Sequence, residues 1–242
     1  MSQFPNQYGP ASPFATSSLD REQVGAIVRF FNSVYAWMAA GLAVTALVAW
    51  FVSQTPELLQ LATGPLVFVA FILELVLVWT VSGAIQRLSA TTATILFMIY
   101  AALNGFTLSV LLLVYTHAAI GSAFFITAGI FGAMSVYGMV TKRDLSQLGS
   151  MLFMGLLAVV IASVVSIFWH PTILTVIINY VAAFVFIGLT AYDTYRLKQM
   201  ALSTQGNAAL AARMSVVGAL ALYLDFINLL LIILRMFGDR RN

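Results

Sequence analysis

The chain carries seven apolar stretches, each about as long as a lipid bilayer is thick, with polar breaks between them. A hydrocarbon core about 30 Å thick takes roughly 20 apolar residues per helix. The stretches at about 31–53, 65–86, 92–115, 119–140, 148–169, 172–195 and 213–236 meet that length. Inside hydrocarbon the backbone must satisfy its own polar groups, so stretches of this kind fold as helices. Long alternating strands are absent, which excludes an outer-membrane barrel. The breaks fall at Ser53–Glu57, Arg87–Ser89, Thr116–His117, Lys142–Asp144, His170–Pro171 and the polar run 196–210. Most are short, so neighbouring helices pack antiparallel in one bundle. The expected fold is an all-α membrane protein with seven transmembrane helices.

Composition agrees. Of the 242 residues 62% are hydrophobic and only 8% charged, where a soluble domain has about 45–50% and about 25%. A soluble enzyme or a nucleic-acid-binding domain is thereby excluded. Cysteine is absent, which removes disulfides, thiolate metal sites, iron–sulfur clusters and a Cys nucleophile.

Residues 1–25, rich in Pro, Ser, Gln and Asn, read as a disordered tail, and 26–242 as the transmembrane domain. Asp20, with Gln23 three residues on, suits the cap of the first helix. Arg21, Arg29, Arg87, Lys142, Arg143, Arg196, Lys198 and Arg213 fall beside alternate breaks, whereas 54–64, 116–118 and 170–171 hold no Lys or Arg. By the positive-inside rule the N-terminus and the basic breaks are cytoplasmic. A full crossing by the long, uninterrupted stretch 216–236 leaves Arg235, Arg240 and Arg241 outside, against that rule; a segment that dips in and returns is the alternative.

An ionisable side chain at the bilayer centre costs about 2.5–3.5 kcal/mol on insertion scales, so each one present calls for a reason. Three acidic ones fall inside the apolar stretches: Glu74, Asp193 and Asp225. Asp225 lies in the last stretch with Tyr223 beside it and Asn228 on its own face at i+3. It reads as an ion or proton site, or else as a protonated acid bonded for packing. Asp193, near the cytoplasmic end of the sixth stretch, reads in the same way or as an interfacial carboxylate paired with Arg196 at i+3. Glu74 is central in the second stretch, with no partner evident; a neutral acid bonded to a neighbouring helix is its alternative reading. Asn104, Thr107 and Asn179 suit hydrogen bonding between helices. Gly129, Gly132 and Ala133 suit close helix contacts, and His117 and His170 suit solvated loops. A retinal protein needs an embedded Lys and a Ser–His intramembrane protease an embedded His; neither is present. HExxH and a Gly-rich nucleotide loop are missing too.

The segments GLTAYDT (188–194) and GALALYLDFINLLLIILR (218–235) resemble the Bax inhibitor-1 family of membrane proteins, closest to its bacterial inner-membrane branch. FGAMSVYGMVTKRDLS (131–146), LNGFTLS (103–109) and VYAWMAAGL (34–42) extend the likeness from about residue 30 to the end. The resemblance implies a last helix in the centre wrapped by two three-helix layers. It also implies a pH-sensitive calcium leak through the membrane, governed by an aspartate pair matched by Asp193 and Asp225. Arg87 matches by position a basic residue that locks one of the pair. No enzymatic activity and no cofactor are implied, with Ca²⁺ the permeant ion and protons the regulator. The partners expected are the lipid bilayer, Ca²⁺ and other membrane proteins, and no nucleic acid.

Two carboxylates about 4 Å apart, at an effective dielectric of 20, repel by about 4 kcal/mol. Such a pair exchanges a proton as a unit and senses pH for that reason alone. Ca²⁺ prefers oxygen ligands, and two carboxylates without a full cage bind it transiently, which conduction requires. Tyr223, Asn228 and Glu74 are the candidate supporting residues. Three rivals stand beside this reading. A non-transporting regulator would bind a membrane protease or a stress or survival partner through its helices. A proton-coupled cation exchanger is a variant of the leading reading. An intramembrane aspartyl protease is disfavoured, because Asp225 follows Tyr223-Leu224 rather than Gly-x-Gly and no Pro-Ala-Leu motif occurs.

Overall fold

The computed structural model describes residues 13–83, 88–169 and 172–241. Among these it contains nine helices and no strand: α1 (Pro13–Gln54), α2 (Pro56–Thr63), α3 (Leu66–Gly83), α4 (Ala90–Leu108), α5 (Leu111–Val114), α6 (His117–Val140), α7 (Ser146–Trp169), α8 (Thr172–Ser203) and α9 (Ala208–Phe237). Six of them, α1, α4 continued by α5, α6, α7, α8 and α9, are long and apolar enough to cross a membrane. The pair α2 and α3, bent by 74°, makes a seventh if it counts as one span. The chain is an all-α, multi-pass membrane protein.

Several boundaries differ from those the sequence suggests. Helix α1 reaches back to Pro13, so 13–25 is helical, and the tail reading is left with residues 1–12, which lie outside the described residues. Extending a formed helix costs little beside nucleating one, and proline is tolerated in a first turn. Asp20 therefore sits within α1 and does not cap it. Helix α8 continues through the basic run to Ser203, since a helix that leaves hydrocarbon keeps its backbone bonds in water. The third stretch breaks at Ser109, whose hydroxyl turns back to the Phe106 carbonyl (2.7 Å).

Two groups of helices face each other across α9. Helices α1 and α4 pack together with α3 against α4; α6 and α7 both pack against α8; and α9 touches α1, α4, α6 and α8. Of the most apolar window of α9, 67% is buried, against at most 33% in any other candidate span, so α9 is the central helix. Its Leu220, Leu222, Tyr223, Leu229 and Leu234 are almost wholly enclosed. The outer helices turn their bulk outward: on α3, Ala70, Glu74 and Val81 face in, while Phe68, Phe71, Ile72 and Trp79 are exposed.

Between helices in lipid there is little hydrophobic gain, so close backbone approach and polar bonds hold the bundle. The approach is made where glycine removes a side chain. A Cβ on Gly105 of α4 would lie 2.6 Å from the Thr45 carbonyl of α1, one on Gly138 of α6 would strike the Ala191 carbonyl of α8, and one on Gly149 of α7 would strike the Tyr192 ring. Gly129, Gly132 and Ala133 are exposed, and nothing lies within 4 Å of a Cβ at either glycine. They are not the contact residues that small size alone suggests, because they point away from the neighbouring helices.

The bundle has two ends. At one, here the Lys142 end, the first part of α1, the α6–α7 junction and the α8–α9 junction come together; Ser33 of α1 donates to Ser215 of α9 (3.0 Å) and Lys198 of α8 to the Met139 carbonyl of α6 (2.8 Å). At the other, the His117 end, the chain after α9 lies against the α5–α6 junction: the Arg241 N–H donates to the Val114 carbonyl (2.9 Å) and the Thr116 N–H to the Asp239 carbonyl (3.2 Å). Helix α9 therefore runs from one end to the other. Arg235, Arg240 and Arg241 stand toward the end opposite Lys142, Arg143 and Arg213, and the re-entrant alternative falls away.

Candidate functional site

Asp193 and Asp225 meet. Their helices α8 and α9 pack along each other, and the two carboxyl groups stand close enough to interact. Asp225 is 5% exposed and its Oδ2 has no hydrogen-bond partner. A buried acceptor left open in this way costs about 1–3 kcal/mol unless something fills it. Asp193 is half-buried and lies close enough to Arg196, one turn along α8, for their charges to attract. Two carboxyl groups this close favour holding one proton between them, because like charges repel.

The pair lies on the wall of a cavity of about 1190 Å³. Ser146, Gly149, Tyr192 and Arg196 line it at the Lys142 end, and Asn179, Asn228, Ile232 and Arg235 line it farther in. Phe71 and Leu75 of α3 and Phe153 and Val160 of α7 flank it. Asn179 precedes Asp193 by 14 residues, which at 1.5 Å per residue places it about 21 Å along α8. The aspartates are thus near the Lys142 end: α6 ends beside them, with Gly138 against Ala191 and Thr194. There Asp144 accepts from the Ser146 N–H (2.9 Å) and from the Tyr195 hydroxyl (3.3 Å). The Ser146 hydrogen bonds hold the Asp144 carboxyl below the usual carboxylate range, with Tyr195 adding to the effect.

Of the supporting residues named from the sequence, Asn228 stays with the pair. It lines the cavity and spends its amide N–H on the Leu224 carbonyl one turn back (2.8 Å). Tyr223 and Glu74 do not support the pair. Two residues on a helix are about 200° apart, so Tyr223 faces the other side of α9, where its hydroxyl donates to Asn104 Oδ1 (3.1 Å) and lies 2.6 Å from Thr45 Oγ1. Phe97 and Tyr100 meet its ring edge to face, with centroids at 5.6 and 5.8 Å. Glu74 belongs to this second cluster, accepting from Thr107 (3.0 Å) and from the Asn104 amide (3.4 Å). A polar chain Glu74–Asn104–Tyr223–Thr45 thus ties α3, α4, α9 and α1. Asn104 and Thr107 act between helices as their placement suggests, whereas Asn179 lines the cavity.

Arg87 and His170 lie outside the described residues. His117 opens α6, with Nε2 3.4 Å from the Arg241 guanidinium, so it is engaged by the chain after α9. No group of three or more His, Cys, Asp or Glu side chains that could hold a metal ion occurs among the described residues. Sequence reasoning missed the Thr45–Tyr223 link and the cavity residues Ser146 and Tyr192. Only an embedded hydroxyl or amide marks the first, and nothing local marks the second.

A central helix wrapped by two groups, with an aspartate pair joining the sixth and last spans, agrees with the family suggested by the motifs. The family model described as "Inhibitor of apoptosis-promoting Bax1" matches residues 27–242, and the chain belongs to that family. It is similar to the "Inner membrane protein YbhL" of Escherichia coli, at 48% identity over 216 residues, covering 88% of this chain and 92% of that protein. An uncharacterized protein of Deinococcus radiodurans is 44% identical over 211 residues, covering 87% and 90%. One from Borreliella burgdorferi is 41% identical over 216 residues, covering 88% and 93%.

Proposed function

We propose that this protein is a pH-sensitive leak for Ca²⁺ across a bacterial inner membrane, with the Asp193–Asp225 pair as sensor and transient ion site, and that it is not an enzyme. The observation that carries the reading is the pair itself: two carboxyl groups in contact on the wall of a large cavity, one with an oxygen left open. Ca²⁺ is cargo here and needs no complete cage; two carboxylates and the Asn228 carbonyl offer the oxygen chemistry a hard cation prefers. Protons compete with it for the same atoms. Acid favours conduction in this scheme, because protonation releases Asp193 from its cationic neighbours, Arg196 and, as the family resemblance implies, Arg87. The basic Lys142 end faces the cytoplasm by the positive-inside rule, and the N-terminus with it.

The test is Ca²⁺ entry into dye-loaded proteoliposomes across pH steps, comparing wild type with Asp193→Asn and Asp225→Asn. Flux that varies with pH in wild type and is flat in both variants supports the reading. Wild-type vesicles no leakier than empty ones at every pH overturn it, and leave a regulator that works through protein contacts. Flux that appears only under a pH gradient marks a proton-coupled exchanger instead.

A further inference from the structure

One face of α9 is left without a helix over it. Val217, Ala221, Leu224, Asn228 and Leu231 follow one another in steps of four and three, half-buried where most of the helix is enclosed, and all five line the aspartate cavity. At 1.5 Å per residue this face is about 21 Å long. Helix α3 packs on α2 and α4, and α7 on α8, but neither packs along α9 or along the other. Phe71 and Leu75 of α3 and Phe153 and Val160 of α7 line the same cavity and are exposed on the surface of the bundle. These four lie well inside their helices, away from the ends, so the cavity opens sideways between α3 and α7, toward the acyl chains.

A mostly apolar cavity between bundle helices, with a few placed polar groups, is the pattern of a small-molecule site, for which about 300–1,000 Å³ is usual; this one holds about 1190 Å³. The ionisable groups on its wall are Asp193, Asp225, Arg196, Arg235 and the Tyr192 phenol. Both arginines are exposed, where water and lipid headgroups screen them. Asp225 is 5% exposed, and its Oδ2 has no partner. A buried carboxyl oxygen calls for a donor, and a donor that carries positive charge serves it best. We propose that the cavity binds a single-chain amphiphilic amine. Its ammonium donates to Asp225 Oδ2, and its alkyl chain lies along the open face of α9 and out between α3 and α7. The inference uses the cavity and the open oxygen, and needs no movement of Ca²⁺.

The test compares dodecylamine with dodecanol and dodecanoate, which share its chain and differ in charge. The full-length protein is held in nanodiscs that contain phosphatidylethanolamine, and affinity is read from the rise of Tm with ligand concentration. Dodecylamine should bind at least roughly tenfold more tightly than dodecanol, the factor a hydrogen bond to a charged group makes, and dodecanoate should bind no better than the alcohol. Asp225→Asn should bring the amine down to the level of the alcohol. Val160→Trp, at the exposed rim, should weaken the amine while leaving the ligand-free Tm near wild type, and it decides the matter if Asp225→Asn does not fold. Equal effects of the three amphiphiles would mean partition into the bilayer alone and overturn the site, as would a preference for dodecanoate. The site is equally overturned if the amine acts only once phosphatidylethanolamine is left out, since the lipid's own amine then fills the cavity. Amine binding by a protein that leaks no Ca²⁺ keeps this site and sinks the leak; a leak from a protein that treats amine and alcohol alike does the reverse.

Discussion

Tyr223 and Asp225 stand two residues apart on the central helix and serve opposite sides of it. Tyr223 binds Asn104 and Thr45 in the α1–α4 group, and Asp225 stands beside Asp193 in the α6–α8 group. The helix is buried enough that each side chain had to find a partner, and the 100° step per residue decides which group supplies it. The polar chain and the aspartate pair are thereby separated on one helix, and the two can be perturbed independently.

Tyr223→Phe should weaken the fold without touching the aspartate pair. It strips a donor from Asn104 Oδ1, leaving a buried acceptor unpaired at about 1–3 kcal/mol. A lower Tm in detergent with an unshifted pH profile of flux is the expected result. A flattened pH profile would mean that the two faces of α9 are coupled.

Glu74→Gln should be tolerated better than Glu74→Ala. Glutamine keeps an oxygen for the Thr107 hydroxyl, whereas alanine takes the Glu74 acceptor from the Asn104 amide, leaves Thr107 only the Asn104 carbonyl, and opens a cavity under α3. The order of Tm, wild type and Gln above Ala, checks this. Equal losses would place the importance of Glu74 in its charge.

Glycines divide by surroundings. Gly138→Ala drives a methyl against the Ala191 carbonyl beside the aspartate pair and should cost about 1–3 kcal/mol, the usual penalty of overpacking. Gly132→Ala meets open space and should be neutral or stabilising by up to about 1 kcal/mol, the helix-propensity difference. Thermal melts of the two variants test the contrast.

Asp144 makes a pH prediction outside the membrane. Its folded-state pKa is lowered, chiefly by the Ser146 hydrogen bonds. Its contribution to stability is therefore complete above the ordinary carboxylate range and is lost as pH falls toward the lowered value. Asp144→Ala should melt below wild type at neutral pH, and the gap should close in acid. A gap that persists below the carboxylate range would assign the effect to packing of α7.

Much of this architecture was open to reading before any coordinates. Span length and hydropathy mark the apolar stretches because the bilayer imposes a fixed thickness and forbids unsatisfied backbone. The cost of burying charge singles out Glu74, Asp193 and Asp225 from the rest of the chain. Their partners were not legible in the same way. A family likeness joins Asp193 and Asp225, since nothing in the 31 intervening positions says which faces of α8 and α9 turn together. Glu74 and Tyr223 resemble them in being polar groups within apolar stretches, and the structure sends both elsewhere. The small residues that matter, Gly105, Gly138 and Gly149, differ from Gly129 and Gly132 only in what stands opposite. The end of the bundle at which Arg241 lies required its pairing beside Tyr115 to be seen. What the sequence by itself determined was each residue's relation to the membrane, which is a property of one segment against a uniform solvent. Which side chains meet was decided only by the tertiary structure, because contact between helices depends on their mutual rotation and height, and those are set by the packing of all of them at once.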